Sequence, residues 1–324
     1  MLKMKTNAGL FAATCLLVLA LAMPAGASQE SDLDKDALRS GIARRVDSVV
    51  ARQAGGQDRE PITRQNVTLK KIEPVTMDLN GKTIELYAVK AGLAFTDGSQ
   101  ADDLVLVVDS SGTLQFNVQA VDSGKSPFQA VKDEIQRKKI DSALGETIYS
   151  GEGTSEVVMA SSPFCPYCRK AFNYFFSQKD KINQWRMIEM TYEGQPGNNA
   201  AVWSVMDGKE VVDALDLMRF AYTGLQPVQT ETPEEQSEGV IKQFMQAFPK
   251  LAEKWGSAEQ ARYYLKGKYQ KETLALSQEA SKTLRIQATP QVFVDGIPVT
   301  GWAPARYSEL LNQKQEKEKK YGQK

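Results

Sequence analysis

The sequence predicts an α+β protein in two parts. A small β-rich module comes first, then a larger domain whose elements run β–α–β, a helical stretch, and β–β–α. Three observations carry this. Between residues 62 and about 122, β-branched and aromatic runs alternate with Asn80-Gly81, Asp97-Gly98 and Ser111-Gly112, pairs suited to tight turns. The apolar run SEVVMASS leads straight into FCPYCRKAF, where helical spacing begins. Near the C-terminus, TPQVFVDGIPV is a strand–turn–strand with Asp295-Gly296 at its turn.

The chain-wide numbers set bounds. At 324 residues the chain suits about two domains. Lys plus Arg equals Asp plus Glu, at 40 each, so no basic excess argues for a nucleic-acid partner. The first 27 residues read as a signal peptide: Lys3 and Lys5, an apolar run from Ala8 to Met23, then Ala25 and Ala27 at the small positions of a cleavage site. Cleavage is expected after Ala27. The alternative is a retained anchor, but the run is shorter than the ~20 apolar residues of a spanning helix. Cys15 would leave with the signal. The mature chain would then hold two cysteines, Cys165 and Cys168, in a disulfide-permissive compartment.

The elements follow in order. Residues 28–60 hold an N-terminal helix, with Ser31 as its expected N-cap and a stripe of Leu38, Ile42, Val46 and Val49. That stripe fits packing on its own module or on a second copy. Residues 61–125 form the β-rich module, with strand candidates VTLKKIEPV, KTIELYAVKAGLAF, DDLVLVVD and TLQFNVQAV. Residues 126–146 are a linker helix with Phe128, Val131, Ile135 and Leu144 on one side. Residues 147–324 form the second domain, interrupted at about 198–283 by a helical insertion.

The two cysteines allow few structural roles. A structural zinc site needs four Cys or His ligands, and the chain has no histidine, so no metal is expected. A c-type haem needs histidine after the second cysteine, where Arg169 stands. A bridge across two residues restrains little in the unfolded chain, so an inert staple gains little from it. A redox pair fits better. Cys165 falls where strand meets helix, and Pro166 suits the first helical position. The helix N-terminus stabilises a thiolate there, which makes Cys165 the nucleophile. Cys168 lies one turn further in, on the face of Phe172, Phe175 and Phe176, and is the shielded resolving cysteine. No other cofactor is expected beyond this redox-active pair.

With these residues in hand, the chain resembles the periplasmic DsbC/DsbG family of thiol–disulfide isomerases, with a thioredoxin-like domain. SSPFCPYCRKAF and ATPQVFVDGIPVTGWAPARYSELL carry the resemblance most strongly. It implies a cis proline at Pro290, with Thr289 and Pro290 forming a loop that pairs with an extended client beside Pro166 and Tyr167. It also implies a periplasmic homodimer through the β module, unfolded or misoxidised exported proteins as clients, and a DsbD-like membrane thiol reductant as electron donor. Three features depart from the family. The insertion looks longer, the extra structural disulfide of DsbC is missing, and the N-terminal helix could change the oligomer. DsbA-type oxidases and thioredoxin hold a buried acid six residues before the first cysteine; here Met159 stands there, leaving open which group takes the Cys168 proton. The expected function is therefore a disulfide isomerase or reductase. A DsbA-like net oxidase and a client-holding chaperone with secondary redox activity are the alternatives.

Overall fold

The computed structural model describes residues 32–53, 60–79, 82–95, 99–101, 103–116, 126–230 and 232–321. The signal segment with Ala27, the Ser31 cap, and the Asn80-Gly81 and Asp97-Gly98 turns lie outside these residues. Among the described residues, no helix is long and apolar enough to cross a membrane.

Helix α1 (Lys35–Gln53) is capped by Asp34, whose carboxylate accepts from the backbone N–H of Asp36 and Ala37 at 3.1 and 2.9 Å. Leu38, Ile42 and Ala43 pack on the first sheet with Val46 half-buried beside them, while Val49 at the end of the stripe is exposed. That sheet is antiparallel, with β1 (Val67–Leu79), β2 (Lys82–Leu93) and β3 (Leu104–Val108) in the order β1-β2-β3. Pro74 sits on the edge strand β1, where a missing N–H is tolerated. The central strand is apolar on both faces because both are covered. Tyr87, Val89 and Ala91 meet α1, while Leu86 and Ala88 meet Phe128 and Ile135 across the sheet. The fourth strand candidate forms no strand in its described part. Gln115 makes an isolated bridge to Val108, and residues 117–121 lie outside the described residues.

The linker helix is shorter than expected. Helix α2 spans Gln129–Gln136 only, not 126–146. Tertiary anchors end it: the Lys138 N–H donates to Gly296 O at 2.9 Å, the Lys138 ammonium donates to Leu284 O at 2.6 Å, and Arg137 donates to Asp295 O. These bonds pull the chain out of helical geometry and towards the second sheet. Asp103 makes a further tie, accepting from Lys70 at 2.7 Å and from Arg285 at 2.5 Å.

The second sheet has the order β4-β6-β5-β7-β8, from β4 (Glu146–Ser150), β5 (Ser155–Ser161), β6 (Ile182–Glu189), β7 (Gln291–Val294) and β8 (Ile297–Thr300). β5 and β6 run parallel, and the other pairs are antiparallel. Helix α3 (Pro166–Ser177) connects β5 to β6, and α9 (Pro304–Tyr321) closes the chain. This is a thioredoxin-like fold with a helical insertion. Strand alternation assigns the faces. Val157, Met159, Trp185 and Met187 join Phe172, Phe175, Tyr307 and Leu311 in the main core, while Val158, Ala160 and Ile188 meet Ala280 and Leu284 on the other side.

The insertion holds α4 (Pro196–Gly208), α5 (Ala214–Arg219), a π-helical turn (Phe220–Gly224), α6 (Pro233–Ala247), α7 (Pro249–Trp255) and α8 (Ala258–Leu284). The run from Ala200 to Gly224 reads as one helix in the sequence but is broken at 209–213, where Asp213 caps a new start by accepting from Leu215 and Asp216 N–H. Asp207 pins the insertion together. Fully buried on α4, it accepts from Trp255 Nε1 at 2.8 Å, Tyr269 OH at 2.9 Å and Lys268 Nζ at 2.9 Å.

Candidate active site

The site forms where β5 ends and α3 begins. Cys165 is the N-cap of α3, and its Sγ accepts from the Cys168 N–H at 3.4 Å. Pro166 occupies the first helical position, where no N–H is needed. Cys168 is completely buried with Ala171, Phe172 and Phe175 along the same helix face. Both cysteines are thiols in this structure. Pro166 and Tyr167 are exposed at the helix start, Tyr167 at 56% of its surface, with the Lys170 ammonium over its ring.

The strand β7 brings the second half of the site. The Thr289–Pro290 peptide bond is cis, and the Cys165 thiol donates to the Thr289 carbonyl at 3.4 Å. Pro290 is buried and Thr289 half-buried, and the Pro290 carbonyl accepts from Gly301 N–H at 2.8 Å. Residues 124 positions apart thus meet at one sulfur.

The two thiols diverge electrostatically. The Cys168 side chain beside it holds Cys165 down from the ordinary 9.0 to about 5; burial opposes this, and the backbone N–H groups of Cys168 and Tyr167 add to it. Burial pushes Cys168 far the other way, and its bond to Cys165 raises it further. The pair is an accessible, readily ionised thiol over a shielded one, the asymmetry that disulfide exchange uses.

Several neighbours escape sequence reasoning. Arg169 donates to Pro163 O at 2.6 Å and Leu225 O at 2.7 Å and lies over Phe164, so it fastens the loop before the motif to the insertion. Tyr192 stands by Thr289 and both cysteines; burial raises its hydroxyl, and the bond with Thr289 opposes that. Tyr222 stacks on Phe172, with centroids 4.7 Å apart, and donates to Glu189 Oε1 at 3.0 Å. Glu189 is buried at the end of β6 and could have been noticed as an acid in register with the apolar Trp185 and Met187 of its strand. Among the described residues, no group of three or more His, Cys, Asp or Glu side chains could hold a metal ion.

No family model matches the chain, and no curated protein matches it. Solved structures do show similarity. BdbD from Bacillus subtilis, in its oxidised form, aligns over 56% of this chain and 97% of its own, at 13% identity and TM-score 0.42. A thioredoxin-like oxidoreductase from Silicibacter pomeroyi covers 51% and 88%, at 19% identity and TM-score 0.36. The catalytic domain of Proteus mirabilis ScsC covers 54% and 90%, at 14% identity and TM-score 0.37. The thioredoxin-like layout of this chain rests on its own strand order and on the helix that joins its two parallel strands.

Proposed function

We propose that the protein is an exported thiol–disulfide oxidoreductase working through Cys165 and Cys168. The observation that carries this is the divergence of the two thiols at one helix start, Cys165 held down to about 5 and Cys168 fully buried. The Cys165 thiolate attacks a client disulfide, forming a mixed disulfide and expelling one client thiolate. Cys168 then loses its proton and attacks Cys165 Sγ. The Cys165–Cys168 bond forms, and the second client sulfur leaves as a thiolate. The reverse sequence oxidises a client dithiol.

Within that class, we read it as a DsbC/DsbG-like isomerase or reductase of misoxidised exported proteins. The β module ahead of the thioredoxin-like fold supports this. So does a hollow of about 270 Å³ beside the motif, lined by Phe164, Gln195, Pro196, Val228 and Val240, where a client segment could lie. A homodimer and a DsbD-like membrane reductant belong to the same reading. An apolar hollow between α1 and the edge strand β3 supports the dimer. A net oxidase is the second reading, favoured by the low Cys165 value: a stabilised thiolate favours the reduced pair and makes the disulfide the stronger oxidant.

The test is a pair of trapping variants. Cys168→Ala should accumulate reductant-sensitive mixed disulfides with exported proteins, and Cys165→Ala should accumulate none. Equal trapping by both, or by neither, contradicts the exchange mechanism. Acid quenching and thiol alkylation of cells then read the direction. A mostly reduced pair supports the isomerase, and a mostly oxidised pair the oxidase.

A further inference from the structure

Exchange leaves one step without an owner: Cys168 is completely buried, and its proton must go somewhere before it can attack. The main core offers a route. Val157, Met159 and Ser161 alternate along β5 on the face beneath α3, and Trp185, Met187 and Glu189 do the same along β6. Met159 pairs with Met187, and Ser161 pairs with Glu189. The buried acid therefore lies one strand across and two residues nearer the end of the sheet than Met159. Its Oε1 accepts from Tyr222 OH at 3.0 Å, and its Oε2 is buried with no hydrogen-bond partner among the described residues. The Tyr222 ring stacks on Phe172, one turn along α3 from Cys168. The buried Ser161 hydroxyl makes no hydrogen bond of ordinary geometry among the described residues and adjoins both Cys168 and Tyr222. Glu189 Oε2 and Ser161 Oγ, with Trp185 Nε1 on the same face, are buried polar atoms unsatisfied among the described residues, and such atoms are costly unless they serve a purpose.

We propose that Glu189 takes the Cys168 proton through the Ser161 and Tyr222 hydroxyls, doing from β6 what no group at Met159 can do. This rests on the two-cysteine exchange reading. In the resolving step the proton leaves Cys168 Sγ and passes along the two hydroxyls, each giving one proton and receiving one. The last proton adds to the Glu189 carboxylate. The Cys168 thiolate forms the bond to Cys165 Sγ, and the client thiolate departs. In the reverse step protonated Glu189 returns the proton to the Cys168 leaving group. Glu189 touches neither sulfur, so it is a positioning residue that acts through Tyr222.

The electrostatics fit a group that changes charge near neutral pH. Burial raises the Glu189 carboxyl to about 8, the Tyr222 bond lowers it somewhat, and the Glu146 charge raises it. The charged and titratable groups around the Tyr222–Glu189 pair are Cys168 and Arg169 on α3 and Glu146 on β4. Glu146 is itself paired to Lys209 at 2.6 Å. No cation is bonded to the Glu189 carboxylate among the described residues.

The test uses the full reduced protein and a symmetrical nitroaryl disulfide, which releases one coloured thiolate at each step. Stopped-flow absorbance separates Cys165 attack from Cys168 attack. The wild-type second step should rise with pH and level off above about 8. Glu189→Gln should slow that step at least about ten-fold at neutral pH and abolish the levelling, with the first step changed less than about two-fold. Glu189→Asp should keep the levelling. Tyr222→Phe, which retains the ring stacked on Phe172, should behave as Glu189→Gln does, and it decides the matter if Glu189→Gln fails to fold. A second-step profile in Glu189→Gln or Tyr222→Phe that superimposes on wild type overturns the proposal. If wild type releases no second thiolate, or Cys168→Ala releases it equally well, the two-cysteine reading itself has failed.

Discussion

Two buried carboxylates in the same fold are treated in opposite ways. Asp207 is fully enclosed within the insertion and accepts from Lys254, Trp255, Tyr264, Lys268 and Tyr269. Glu189, 8% exposed under the motif, accepts among the described residues from Tyr222 alone, with Oε2 unpartnered. Burial pushes both carboxyls up. At Asp207 the hydrogen bonds of Lys254, Trp255, Lys268 and Tyr269 more than offset it and hold the group well below the carboxylate range. At Glu189 burial wins, and the group rises to about 8. Donor count and cation count, not depth, decide which carboxylate stays charged. The saturated one holds helices together, and the unsaturated one is free to exchange a proton.

The largest expected effect breaks the saturated member. Asp207→Ala leaves Lys254 and Lys268 without their buried partner and should cost about 3 kcal/mol or more of stability. Chemical denaturation checks this, and the exchange rate of the folded fraction should be unchanged.

The second prediction concerns pH and has opposite signs at the two sites. Asp207 is depressed in the fold, so its contribution is fully present above the unfolded value of 3.8 and is lost as pH falls below it. Glu189 is raised, so the folded state holds its proton longer than the unfolded chain does. Wild-type stability should fall as pH rises from about 4.5 to about 8, by a few kcal/mol at most. Denaturation of Glu189→Gln across that window should show this slope removed. A slope unchanged in the variant would mean that Glu189 is not the raised group.

The smallest effects come from trimming one donor at each site. Trp255→Phe removes one of several bonds to Asp207 and should cost about 1 kcal/mol with no new pH dependence. Tyr222→Phe removes the Tyr222 bond to Glu189 and should move the upper end of its pH window higher. Equal pH behaviour in the two variants would erase the contrast.

The sequence made the cysteine half of the candidate site legible and hid the half around it. Cys165, Pro166 and Cys168 are local, because four consecutive residues encode a helix start and its thiols. Thr289 and Pro290 are distant but carry their own signal, a proline opening an apolar strand. Ser161, Tyr192, Tyr222 and Glu189 come from separate elements and meet only through strand register and the π-helical turn. Charge alone could not mark Glu189, since Arg186 on the same strand is also buried, paired to Glu156 at 2.6 Å on the opposite face. Helix ends escape the sequence pattern where tertiary bonds decide them, as at Arg137 and Lys138, and α7 and β4 are too short for their periodicity to show.

On the proposed reading, one helix start splits two neighbouring thiols into an acidic nucleophile and a shielded resolver. The direct measurement is the alkylation rate of the reduced protein against pH, with the modified cysteine mapped by mass. Reaction is expected at Cys165 with a midpoint of about 5, while Cys168 stays unmodified across the neutral range. A Cys165 midpoint near the ordinary 9.0, or Cys168 reacting first, would contradict it.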